Sequence, residues 1–194
     1  KMFKQISIPV FDADTVLKFI LGHEITIMND IKKSVGDHIF NSSDINPKLI
    51  KNKDTFDKII NCAEYELMKA YEKFNSKNSS SIYTIFHSSI LFERSWNEKM
   101  DYNINVFCPK ITRMERCKEV TKTSTNPNGM KISDISYLLR NEIDDIDKNK
   151  MSNFVIHNYD AGDPLTQVND IDQRIIDRYI KSEQTKESIV LKHY

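Results

Sequence analysis

Apolar residues recur at helical spacing along much of the chain, and polar stretches separate these segments. The first segment has Asp12 or Asp14 as its N-cap, and Gly36 offers a C-cap. A second segment has Asp54 as its N-cap and runs to Phe74. One apolar stripe on each predicts two amphipathic helices. The first stripe consists of Leu17, Ile20, Leu21, Ile27, Met28, Ile31 and Val35.

Two further helices are predicted in the second half of the chain. One begins at Ser133 or Asp134 and carries apolar residues as far as Ile146. The other begins at Asp163-Pro164, because Asp is a good N-cap and Pro fits the first helical position. Its stripe consists of Leu165, Val168, Ile171, Ile175, Tyr179 and Ile180.

Short runs rich in β-branched and aromatic residues predict strands over 3–10, 82–91, 102–106 and 154–157. We expect the second and third of these to pair with each other across residues 93–101. Residues 109–131, with two prolines and Asn128-Gly129, are predicted to be an irregular loop. Residues 185–194 are predicted to be a C-terminal tail, in which 189–194 are either a closing strand or loose. The sum is a single α+β domain over 1–194, with about four amphipathic helices and three to five short strands.

Glycine is scarce, with four in 194 residues, and none lies in a GxGxxG or GxxxxGK[ST] pattern. A loop that cradles phosphate needs backbone free of side chains and often positive φ, which glycine supplies at little cost. The sequence therefore argues against the common nucleotide-binding folds. The bias toward Ile, Lys, Asn and Asp indicates a low-GC genome, such as that of a virus or a parasite.

Basic and acidic residues balance at 28 each, so nucleic-acid binding is not favoured and needs a segregated basic face. The densest basic stretch begins with Lys110, Arg113 and Arg116, and it supports a nucleic-acid-binding alternative. Trp96, the single tryptophan, and Arg94 are candidate contact residues for a partner if they are exposed, and Trp96 is a core residue if it is buried.

Three widely spaced cysteines, without a CxxC pair, give neither a disulfide framework nor a zinc site. An intracellular, cytoplasmic location is the simpler expectation. No apolar run approaches the length of a membrane span. The chain begins with Lys1 rather than Met, which suits a fragment of a longer protein or a tag remnant before Met2.

The run Asp12-Ala13-Asp14-Thr15-Val16-Leu17 follows the apolar residues 6–11. It resembles the first motif of haloacid-dehalogenase-type phosphatases. The resemblance implies Asp12 as nucleophile, Asp14 as general acid and Mg²⁺ as cofactor, a combination that suits phosphoryl transfer. Gly162-Asp163 and Asp170, after residues 154–156, stand where that family completes its metal site. The implied metal ligands are therefore Asp12, Asp14, Asp163 and Asp170.

A simpler interpretation of the same residues is that Asp12, Asp14 and Asp163 are the N-caps of helices. Without a cofactor loop, a metal cluster or a catalytic triad, the main hypothesis is a non-enzymatic interaction, structural or regulatory protein. Such a protein acts through protein–protein contacts or self-association and needs no cofactor. The Mg²⁺-dependent phosphatase and the nucleic-acid binder are the alternatives.

Overall fold

The computed structural model describes residues 2–41, 44–46, 49–50, 52–123, 143–159 and 163–191. Within these ranges the α-helices are α1 (Met2–Gln5), α2 (Ala13–His23), α3 (Ile25–Val35), α4 (Lys53–Lys77), α5 (Lys110–Thr123), α6 (Asp145–Lys150) and α7 (Pro164–Leu191). The strands are β1 (Val10–Asp12), β2 (Phe40–Asn41), β3 (Asp44–Ile45), β4 (Ile85–His87), β5 (Ile104–Phe107) and β6 (Phe154–His157). Two short 3₁₀ turns lie at Asp37–Ile39 and Trp96–Lys99.

The strands form three separate pairs in the described part of the chain. β1 pairs with β4 in parallel, with Val10 opposite Ile85 and Asp12 opposite His87. β5 and β6 are also parallel, whereas β2 and β3 form a small antiparallel ladder. Because parallel strands need a crossover connection, the chain between β1 and β4 must travel back along the pair. Helices α2, α3 and α4 lie in that connection.

The larger hydrophobic core lies between the β1–β4 pair and the three crossover helices. Phe11 of β1 is buried and packs on Tyr71 and Phe74 of α4. Trp96 is completely buried, and its ring meets Phe86 of β4 edge-on at 5.8 Å between centroids. The remaining buried members are Ala13, Leu17, Ile20, Ile27, Ile31, Ile39, Ile59, Ile60, Ala63 and Leu67.

A network of hydrogen bonds and ion pairs connects the segment after β4 to helix α4. The Trp96 indole N–H donates to Glu64 at 3.0 Å, and Arg94 pairs with both Glu64 and Asp57. Burial alone raises the pKa of Glu64, but the hydrogen bonds from Arg94 and Trp96 outweigh it and lower that pKa below its ordinary value. Trp96 thus buries a large ring while its polar N–H keeps a charged partner.

A second hydrophobic cluster joins the β5–β6 pair to helix α7. Phe154 and Ile156 of β6 pack against one face of α7, and α1 and Tyr83 border the same cluster. The α7 residues of this face are Val168, Ile171 and Ile175. Tyr83 donates to Asp172 of α7, and burial, with this carboxylate next in importance, raises the Tyr83 pKa. The segment before β4 is thereby tied to the second cluster.

Several sequence predictions are confirmed. The fold is a single α+β domain, although seven α-helices lie in the described ranges instead of about four. Gly36 ends α3 with φ of 105°, a conformation that favours glycine. Helix α7 begins at Pro164, and Asp163 accepts from the Leu165 N–H at 3.0 Å as its cap. The strands predicted near 104 and 154 are present as β5 and β6.

Other predictions are wrong, because sequence periodicity alone does not show where a helix breaks or which strands pair. The first predicted helix is broken at Glu24, whose extended backbone separates α2 from α3 while the apolar stripe continues. Residues 2–5 are helical rather than extended, and the strands over 82–91 and 102–106 pair with β1 and β6 instead of with each other. Most of the predicted helix from Ser133 lies outside the described residues.

The predicted irregular loop over 109–131 is largely a helix, since α5 spans Lys110–Thr123, and residues 124–131 lie outside the description. The predicted tail from 185 is likewise helical as far as Leu191. Helix α5 could not be recognised from a continuous apolar stripe, because charged residues crowd its sequence, and the stripe that predicted α7 ends at Ile180.

Leu67→Ala should lower the free energy of unfolding by about 3 kcal/mol, because Leu67 is fully buried in the larger core and its truncation leaves a cavity. Tyr65→Ala on the same helix is the matched control. Tyr65 is 74% exposed, so we expect a change of about 0.5 kcal/mol or less. Urea unfolding followed by circular dichroism measures both. Equal losses in the two variants would contradict this assignment of the buried face of α4.

Candidate active site at the carboxyl ends of β1 and β4

The carboxyl ends of β1 and β4 bring two ionisable side chains together. Asp12 and His87 are the last residues of these strands and lie opposite each other in the parallel register. His87 Nδ1 is 3.7 Å from Asp12 Oδ1, and the side chains are 61% and 46% exposed respectively. This edge therefore presents a carboxylate and an imidazole to solvent.

Asp12 also caps helix α2. The Thr15 N–H donates to Asp12 Oδ1 at 3.1 Å, which satisfies one of the free amides of the first helical turn. This hydrogen bond is the main cause that holds the pKa of Asp12 below its ordinary value. Burial acts in the opposite direction, and the Thr15 side chain and His87 lower the pKa further. Asp12 is consequently a carboxylate at neutral pH.

Asp14 joins the start of α2 to the chain that follows β4. Both of its carboxylate oxygens lie 3.0 Å from the Ser89 backbone nitrogen, which donates to them. The Ser88 hydroxyl donates to Asp14 Oδ1 at 3.3 Å and accepts from the Ile90 N–H. The two aspartates of the sequence motif thus have different partners.

An open groove of about 370 Å³ lies beside Asp12, between β1, α2 and α4. Its walls are mostly apolar, and Lys73 and Lys77 of α4 supply positive charge. The two lysines are four residues apart, so they project from the same side of the helix. The groove is lined by Val10, Phe11, Asp12, Thr15, Val16, Ala70, Lys73, Phe74 and Lys77.

The structure separates the four aspartates that the phosphatase resemblance implied as metal ligands. Asp163 caps α7, and Asp170 forms an exposed pair with Arg174 on the same helix. In the described ranges, no group of three or more His, Cys, Asp or Glu side chains is placed to hold a metal ion. Asp12 and Asp14 lie near each other, whereas Asp163 and Asp170 belong to a different helix.

The predicted partner-binding residues are also placed differently. Trp96 is a core residue and Arg94 is largely buried in its network with Asp57 and Glu64. Arg113 pairs with Asp145 of α6 at 3.0 Å. Arg116 donates to the backbone oxygen of Asn158, while Lys110 is exposed. These five residues do not form one exposed basic surface.

Asp12 and Asp14 stand out in the sequence through the phosphatase resemblance, whereas no sequence pattern placed His87, Ser89 or the two lysines beside them. His87 follows Ile85 and Phe86 and is the last residue of its strand. Its position beside Asp12 depends on the parallel pairing of strands that are 75 residues apart, which no local pattern indicates. The spacing of Lys73 and Lys77 was visible, but many lysines in this chain have such neighbours.

No model of a known protein family matches the chain, and no curated protein matches it either. Among solved structures it is similar to TT1252 from Thermus thermophilus, with 13% identity and a TM-score of 0.67 over 89% of this chain and 87% of that one. It is also similar to the dephospho-CoA kinase from Campylobacter jejuni, with 17% identity and a TM-score of 0.48 over 90% of this chain and 88% of that one. The likeness to TT1252 shows a shared fold.

These neighbours correct the functional prediction. They contradict the hypothesis of a non-enzymatic interaction, structural or regulatory protein, although the likeness to TT1252 shows a shared fold alone. The expectation of a viral structural protein has no support in the comparisons.

Asp12→Ala should lower the free energy of unfolding at pH 7 by about 1 kcal/mol through loss of the cap, whereas Asp12→Asn should cost less because Asn is also a good cap. The Asp12 pKa is lowered in the folded state, so its charge stabilises the fold above the unfolded-state pKa. That contribution is lost as the pH falls through the lowered, folded-state pKa. Urea unfolding between pH 7 and pH 2 should show the difference between wild type and Asp12→Asn shrinking in acid. A difference that grows in acid would contradict the lowered pKa.

Proposed function

We propose that this chain is a kinase-like enzyme that transfers a phosphoryl group to a hydroxyl group of its substrate. The observation that carries the proposal is the meeting of Asp12 and His87 at the carboxyl ends of two adjacent parallel strands, beside an open groove. In open α/β sheets, ligands bind outside the carboxyl ends of the strands. The reaction class is that of the Campylobacter enzyme named above, but the geometry around Asp12 carries the proposal.

Asp12 is the proposed catalytic residue. Its lowered pKa keeps it ionised, so it accepts a hydrogen bond from the substrate hydroxyl and orients the oxygen. As the new P–O bond forms, the hydroxyl proton passes to Asp12, and the leaving group departs with the electrons of the broken P–O bond. Phosphoryl transfer has a loose transition state in which catalysis is mainly positioning and electrostatics, so a weakly basic carboxylate suffices.

The groove beside Asp12 supports a particular kind of acceptor. Phe74, Ala70 and Val16 offer apolar surface for the body of the molecule. Lys73 and Lys77 attract an anionic group, and neither forms an ion pair with another described residue. We therefore propose a hydroxyl compound with an apolar part and an anionic part as the substrate class. Ligand sites of this size are commonly apolar with a few charged groups that fix orientation.

The phosphoryl donor is proposed only by class, as a phosphoric anhydride. The four glycines of the chain lie apart, so its residues do not fit the glycine-rich backbone cradle that holds the phosphates of a nucleotide.

We further propose a cytoplasmic location and association with another protein or with a second copy of the chain. In the described ranges, no helix is both long and apolar enough to cross a membrane. A cytoplasmic location is supported by the free thiols of Cys62 and Cys108. Association with another protein or with a second copy is supported by the exposed apolar side chains of Phe19 and Ile25. Neutral net charge and the internal pairing of Arg113 disfavour nucleic acid.

Asp12→Asn should lower kcat by about 10²- to 10⁴-fold with little change in KM, because the amide can orient the hydroxyl but cannot take its proton. The assay follows transfer of labelled phosphate from ATP to a panel of hydroxyl compounds, including dephospho-CoA, sugars and nucleosides. Asp37→Asn is the control, since Asp37 is 81% exposed and makes only a surface pair with Lys32.

Two results would overturn the proposal. One is full activity in Asp12→Asn with a wild-type KM. The other is a folded wild-type protein that neither transfers phosphate to any compound of the panel nor binds one of them in isothermal titration calorimetry. Binding that is retained in Asp12→Asn but weakened in Lys73→Glu/Lys77→Glu supports the groove as the acceptor site.

A further inference from the structure

Neither Asp12 nor His87 is held in place by burial. Both side chains are substantially exposed, and the strands that carry them are only three residues long. Short exposed strand ends open easily, because few buried contacts oppose their local unfolding. A site that depends on the relative position of these two residues therefore needs a further restraint at this edge.

Asp14 makes hydrogen bonds that can restrain the ends of β1 and β4. It lies two residues after Asp12, in the first turn of α2, and its carboxylate accepts the Ser89 N–H with both oxygens at 3.0 Å. Ser88, the residue directly after His87, donates its hydroxyl to the same carboxylate. These bonds connect the chain immediately after β1 to the chain immediately after β4. A charged acceptor also makes them stronger than bonds between neutral groups.

We propose that Asp14 is a positioning residue, which clamps the segment after β4 onto α2 and so fixes His87 against Asp12. The inference rests on the proposed function of Asp12. Asp14 does not line the groove that is proposed to bind the acceptor, and its carboxylate accepts hydrogen bonds from Ser88 and Ser89. The second aspartate of the motif thus acts on the first through the opposite strand.

Asp14→Ala should lower kcat by about 10- to 100-fold, since His87 is then no longer held beside Asp12 and a misplacement of about 1 Å next to a reacting group is enough for such a loss. KM should change less, because the groove that binds the acceptor does not include Asp14. Asp14→Asn keeps one oxygen that can accept the Ser89 N–H, so it should recover most of the lost activity. Asp30→Ala, at an exposed site on α3, is the control for removal of a carboxylate.

A second measurement does not depend on activity. Amide hydrogen exchange, followed by NMR, should show the Ser89 N–H exchanging at least about tenfold faster in Asp14→Ala than in wild type, and close to the wild-type rate in Asp14→Asn. Ser88→Ala removes only the hydroxyl donor and should have a smaller effect than Asp14→Ala. This variant keeps the test decisive if Asp14→Ala does not fold, as judged by circular dichroism.

Unchanged exchange at Ser89 in folded Asp14→Ala would overturn the clamp. So would an Asp14→Asn variant that retains Ser89 protection but is as inactive as Asp14→Ala, because that result assigns a chemical role to the carboxylate itself. If wild type shows no phosphoryl transfer, that result counts against the proposed function, whereas faster exchange at Ser89 still supports the clamp.

Discussion

The parallel pairing of β1 with β4 is the constraint on which the rest of the structure depends. Antiparallel neighbours can be joined by a tight turn, but parallel neighbours require the chain to return to the starting edge. Here the return contains α2, α3 and α4, whose apolar faces supply most of the larger core. The same pairing places both strand ends at one edge. Asp12 faces His87 because the strands are parallel, and in an antiparallel pair the two ends would lie at opposite edges.

The candidate site combines local and distant determinants. The Asp12–Thr15 hydrogen bond is local, since it is the ordinary cap of a helix that follows a strand. The contacts of Asp12 with His87 and of Asp14 with Ser89 join residues about 75 positions apart and exist only in the folded chain. Local chemistry thus sets the charge of Asp12, whereas tertiary structure sets what it faces. A motif search can recover the local determinant of the Asp12 charge but not the residue that Asp12 faces.

The sequence predicted the elements better than it predicted their arrangement. The caps at Gly36 and Asp163-Pro164 were predictable because specific backbone requirements select those residues. The break at Glu24 was not, because the apolar stripe continues through it. The predicted strand partners were wrong because β-propensity indicates that a segment forms a strand but not which strand it pairs with. At the candidate site, the phosphatase resemblance drew attention to Asp12 and Asp14, but the residues that face them could not be predicted.

The long separation along the chain between β1 and β4 also bears on how the protein acquires its structure. Closing so large a loop lowers the chain entropy, and this unfavourable change comes before the strand pairing contributes any stabilisation. The contacts of α3 with α4 join residues much nearer in sequence and can form earlier. We therefore expect the edge that carries Asp12 and His87 to assemble late, after the helices have collapsed together. The edge that carries the candidate site is then the last to be completed during folding.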